Sequence, residues 1–82
     1  MIIKARSTAV DINATASTIS GAVLVSVYNT SSVLEEIIVS GTGYNIKIGP
    51  GERMLIEKEI TDELDATGAA ASIWANAVAY NV

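Results

Sequence analysis

The sequence predicts an all-β fold, a small antiparallel β-sandwich or barrel of six to seven strands. Three observations carry this. β-Branched residues dominate, with eleven Ile, eight Val and seven Thr among 82 residues; such side chains are stiff at χ1 and fit a pleated surface. The usual helix fillers are scarce, with four Leu and two Met, and Phe is absent. Alternating apolar segments are separated by turn residues at roughly eight- to twelve-residue intervals, the spacing of sandwich strands.

Taken in order, residues 2–6 and 8–12 read as short strands, with Ser7 a bend between them. Lys4 and Arg6 alternate there with Ile3 and Ala5, as on an edge guarded by charge. Residues 13–21, "NATASTISG", form a loop or arm with little core content. Residues 22–28, "AVLVSVY", are the strongest strand and are expected to be central. "NTSS" at 29–32 is turn chemistry, because Asn and Ser side chains bond nearby backbone. Residues 33–40 follow as a strand, in which the adjacent Glu35 and Glu36 predict a β-bulge.

The segment "YNIKIGPGERMLIEKE" places strands at 44–48 and 52–59 around a Gly-Pro-Gly turn. Pro50 presets φ and Gly51 supplies the positive φ of a type II turn. Two-residue hairpins prefer the primed turns, so this link is expected to be a wider connection that changes sheets. A single short helical turn is expected from Thr61 to Ala66, with Thr61 as cap and Asp62 and Glu63 in the first turn. Residues 72–80 return to strand, with Trp74, Val78 and Tyr80 on one face. Ile73, Ala75, Ala77 and Ala79 lie on the other, where the alanines suit close approach of a second sheet.

The whole of 1–82 is one domain, and residues 1–20 also admit a reading as an extended N-terminal arm. A chain this short buries only roughly 60–65% of its unfolded surface, so added support is expected. Without cysteine it is not a disulfide. Oligomerisation or docking onto a larger body remains.

Histidine is also absent, which removes the commonest general base and zinc ligand and the usual hydrolytic triad. No spacing supports a Ser–Lys pair. Six of the nine acids lie between Glu52 and Asp65, without the calcium-loop pattern, and read as a solvated strand edge. No catalytic residue, cofactor or metal is expected, and the chain is read as not an enzyme. A net charge of −4 argues against nucleic acid and anionic membrane as partners. "MIIKARSTAV" lacks the apolar core of a signal peptide, so synthesis in the cytoplasm is expected. Asn13 and Asn29 head N-glycosylation patterns, read as chance. Trp74 and the three tyrosines are read first as core filling and second as a sugar-stacking platform.

The run "GAVLVSVYNTSSVLEEIIV", the turn "IGPGER", the following "IEK" and "TDELDA", and the closing "AVAYN" resemble small virion proteins of tailed bacteriophages, particularly those of marine bacteria and cyanobacteria. The resemblance covers residues 20–81. It implies a β-sandwich in the virion that binds the outside of the capsid shell and stabilises it, as a decoration or cement protein whose partner is the major capsid protein. It also implies a homo-oligomer, a trimer by preference, and brings no active-site residues. A neck, tail or fibre component and a host-glycan binding module are the alternatives. Candidate partner contacts are Ile2, Ile3, Lys4, Arg6, Val10 and Ile12 in the N-terminal segment, and Ile37 and Val39 in the 33–39 strand.

Overall fold

The computed structural model describes residues 2–13, 15–67 and 73–81. Their strands are β1 (Ile2–Ala5), β2 (Val10–Asp11), β3 (Leu24–Asn29), β4 (Glu35–Val39), β5 (Tyr44–Ile48), β6 (Arg53–Glu57), β7 (Leu64–Thr67) and β8 (Ile73–Asn81). The fold is all-β, with no helix among the described residues. The strands form two antiparallel sheets. In the first, β1 and β2 lie end to end along β8, followed by β3 and then β6; the second runs β5-β4-β7.

The inner faces supply one shared core. Val25 and Val27 of β3, Ile56 of β6, and Ile73, Ala75 and Ala77 of β8 meet Ile37, Ile48, Leu64 and Ala66 from the second sheet. The alanines of β8 do face another sheet. Enclosing an Ile or Val side chain contributes about 2 kcal/mol, and eight of the twelve residues of the core cluster are of these types. β3 pairs with β8 on one side and β6 on the other, the central position its valine run predicts.

Ser7 interrupts the edge without releasing it. Its hydroxyl accepts from the amide of Ala77 at 2.9 Å, standing in for a ladder carbonyl between β1 and β2. The segment read as a possible arm is built into the sandwich: Ile12 and Ile19 are core residues. Ile19 and Ser20 adopt left-handed φ of 54° and 57°, and Gly21 continues at 69°. A β-branched residue in that region is strained, and here it accompanies complete enclosure of the Ile19 side chain.

The Gly-Pro-Gly link changes sheets as expected, since β5 pairs with β4 and β6 with β3. Gly51 has φ 71° and the Glu52 amide donates to Gly49 O at 3.1 Å, which makes a type II turn. Two expectations are corrected. From Thr61 to Ala66 there is no helical turn. A β-turn closes with the Asp62 amide on Glu59 O at 3.1 Å, and β7 then pairs with β4. Leu64 and Ala66 alternate inward around Asp65, and burial of that alternation outweighs the local preference of acids for a helix start. The bulge at Glu35–Glu36 is also absent. The register runs unbroken from Glu35↔Ile48 to Val39↔Tyr44. Glu36 therefore faces outward onto Lys47 at 2.9 Å, and Glu35 is driven into the interior, where its Oε2 has no hydrogen-bond partner.

The sheets are joined by one buried side chain. Asn29, fully enclosed at the end of β3, donates from Nδ2 to Val33 O at 3.0 Å, Ile48 O at 3.1 Å and Gly49 O at 3.0 Å. Its Oδ1 accepts from the Ser31 amide at 2.8 Å. Its backbone amide donates to Glu52 O, and its carbonyl accepts from Gly51 N. So committed a side chain is no glycosylation acceptor.

The two seams between the sheets differ. On one side β7 is tied back toward β2, with Ser17 bridged to Leu64 and the Ala66 amide donating to Ile12 O. On the other, β5 and β6 are edge strands of different sheets, joined through the 49–52 turn. One seam is closed and the other open.

Asn29→Ala removes the amide that serves three carbonyls and is expected to destabilise by about 3 kcal/mol, because the Ile48 and Gly49 carbonyls lose this donor while Val33 O keeps only the Ser31 hydroxyl. Urea unfolding measures this, and the similarly sized Asn29→Leu should fare no better. Glu35→Met replaces a buried carboxyl whose Oε2 has no partner by an apolar side chain. It is expected to stabilise, by about 1 kcal/mol, as an upward shift of the urea midpoint.

Candidate functional site

The outer faces of the two sheets contrast. On the second sheet the outward residues include Glu36, Lys47, Asn45 and Asp65, with Ile38 among them, as pairing of β4 with β5 and β7 dictates. That face is charged and solvated. On the first sheet the same pleat logic aligns Arg53, Tyr28 and Trp74 in one row across β6, β3 and β8. The next row is Leu55, Ser26 and Asn76, and then come Glu57 and Leu24. Val78, on the same face of β8, is buried. Leu24, Leu55, Tyr28 and Trp74 thus lie among polar neighbours on a sheet surface that no second sheet of the described residues covers, the first three half-buried and Trp74 exposed.

Arg53 organises this strip. Its guanidinium carbon lies 4.8 Å from the Tyr28 ring centroid, within cation–π range, and Nη1 donates to Ser26 Oγ at 3.3 Å. Tyr28 is held half-buried, whereas its cross-strand neighbour Trp74 is 40% exposed. The reading of Trp74 as core filling is therefore corrected. Strand alternation groups Trp74 with Val78, but the sheet packs through Ile73, Ala75 and Ala77, leaving the larger side chains outside. The side chain of Tyr80 lies outside the described ones.

A second feature occupies the open seam. A cleft of about 410 Å³ is lined by Val23, Val39, Thr42, Tyr44, Glu57, Lys58, Glu59 and Asp62. Lys58 follows β6 on its inner-facing parity, with its amide on Val23 O at 2.8 Å and its Nζ donating to Glu59 O at 3.1 Å. Burial lowers the Lys58 pKa below its ordinary 10.5, and the Asp62 carboxylate opposes the shift. Asp62 accepts from the Glu59 amide through Oδ2 at 3.3 Å. Its Oδ1 lies against Gly41, where a Cβ would overlap it, so any larger residue there would displace the Asp62 carboxyl. The Asp62 carboxylate acts on the Lys58 ammonium, and Glu57 and Glu59 line the same cleft.

The sequence-predicted contacts are dispersed. Lys4, Arg6 and Val10 are exposed along the β1–β2 edge. Ile12 and Ile37 are wholly enclosed by this chain, and Val39 packs against the same core; these three serve the interior and the cleft wall. The side chains of Ile2 and Ile3 lie outside the described ones. Among the described residues, no group of three or more metal-ligating side chains could hold an ion. The Trp74–Tyr28–Arg53 row and the cleft were not singled out by sequence. Both depend on pairings between residues far apart in the chain. Comparison with protein-family models, with curated proteins and with solved structures finds no match for this chain.

Lys58 sets a pH dependence. Its folded pKa lies below the unfolded value of 10.5, so between the two the unfolded chain holds more protons. Stability then rises with pH across that window and levels off above 10.5. Lys58→Met is expected to remove this part of the slope, read as the difference in urea midpoints between the two proteins from neutral to alkaline pH.

Proposed function

We propose that this chain is a non-catalytic structural subunit of a phage virion. It adheres to the outside of the capsid shell, with the major capsid protein as partner, and works as an oligomer, a trimer by preference. The virion assignment rests on the sequence resemblance over residues 20–81. The mode of attachment rests on one structural observation, the row in which exposed Trp74 lies beside half-buried Tyr28 with Arg53 stacked on the Tyr28 ring. Trp, Tyr and Arg are the residue types that concentrate binding energy in interfaces. A subunit that clamps neighbouring shell proteins against the pressure of packaged DNA needs contact area and no reactive group. The location is then the virion, after synthesis in the host cytoplasm.

A second reading is favoured by the same row. An exposed Trp74 beside Tyr28, with Asn76 on the same face, is also the arrangement of a sugar-stacking platform for a host glycan.

Quantitative mass spectrometry of purified particles decides the first reading. Copy number near parity with the shell subunit is expected, a small fraction of parity would move the chain to the neck or tail, and absence would sink the virion reading. Trp74→Ala should lower particle occupancy roughly ten-fold, the scale of a hot-spot truncation, while the fold is retained with a modestly lower urea midpoint. Trp74 is the sole tryptophan, so its emission should shift to the blue on shell binding. A shift produced by soluble glycans instead would favour the platform.

A further inference from the structure

We infer that the open seam is a strand-acceptor site: an extended segment of a partner protein, alternating apolar residues with Lys or Arg, pairs with the free edge of β5 and lays its basic side chains toward the cleft. The inference stands on three features. Among the described residues β5 pairs only with β4, and β6 only with β3, so no described strand pairs with the open side of either. Register places Tyr44 and Ile46 on the same face as the enclosed Ile37 and Ile48, yet Tyr44 is 75% and Ile46 42% exposed. Among the described residues nothing covers them, and on an added strand whose basic side chains point inward the aliphatic stems lie along Tyr44 and Ile46 while the charged heads reach the cleft.

Charge selects the occupant. Glu57, Glu59 and Asp62 outnumber Lys58 around the cleft, and the Lys58 Nζ is already directed to Glu59 O. An acidic strand would meet three carboxylates, whereas a basic one neutralises the surplus. Lys47, on the outer side of β5, is paired with Glu36 and does not repel it. Backbone pairing supplies affinity and the cleft supplies selectivity.

This site is separate from the Trp74 strip, and the two fail separately. The test is a titration of the full chain with a short synthetic peptide alternating valine and lysine, followed by amide NMR shifts and calorimetry. Expected are shifts centred on residues 44–48 and 57–62, retained in the Trp74→Ala protein. Tyr44→Lys, a change at an exposed position, should weaken binding roughly ten-fold while leaving urea stability unchanged. A peptide alternating valine and glutamate should not bind, and methylation of alternate backbone amides in the basic peptide, on the edge that pairs with β5, should abolish its binding. The inference is overturned if the basic peptide does not bind, if both charge types bind equally, or if the methylated peptide binds as well as its parent. Shifts centred on Trp74 and Tyr28 would overturn it too.

Discussion

The structure hangs on Asn29. A chain that passes from one sheet to the other must leave its ladder, and the carbonyls at that departure lose their partners unless something replaces them. Here three such carbonyls, of Val33, Ile48 and Gly49, converge on one buried amide, while Glu52 and Gly51 pair with the backbone of the same residue. Buried polar groups are tolerated only when satisfied, so without Asn29 the exit from β3, the entry to β4 and the sheet change after β5 lose their common anchor. The 49–52 turn can then belong to neither sheet, and this is what leaves β5 and β6 as separate edges.

Much of this was legible in the residues. Alternation located most of the strands, and the mismatch between a Gly-Pro-Gly turn and a tight hairpin foretold the change of sheets. What failed has a physical cause in each case. β7 was hidden because Thr61, Asp62 and Glu63 are good helix-start residues, and only pairing with β4, remote in sequence, selects the extended form. Glu35 was expected to be spared by a bulge. The intact ladder of β4 with β5 kept its register and enclosed the carboxyl instead. Trp74 shows the general limit: alternation says which residues share a face, not which face turns inward. The clue was Ala75 and Ala77, whose small size lets the sheets approach, but size alone could not outweigh the expectation that a lone Trp is buried.

The candidate surfaces were less legible than the fold, because each is assembled from distant strands. Arg53, Tyr28 and Trp74 become a row only through the registers of β6 with β3 and β3 with β8. The cleft likewise needs Tyr44 and Lys58 from different sheets. Charge composition hinted at it, since the acids crowd between Glu52 and Asp65, but their solvated reading was equally consistent with sequence.

The two seams follow from one shortage of material. β1 and β2 share a single column along β8, so the first sheet is four columns wide and the second three. The missing column must be filled or left open on each side. On the β7 side the loop between β2 and β3 fills it, sending Ile12 and Ile19 into the core and tying Ser17 to Leu64. The left-handed backbone at Ile19 and Ser20 belongs to that arrangement, since it turns the chain back toward β3 while the Ile19 side chain remains enclosed. Among the described residues no comparable segment serves the β5 side, where Tyr44 and Ile46 stay exposed. A strand added there would bring the second sheet to four columns and match the first.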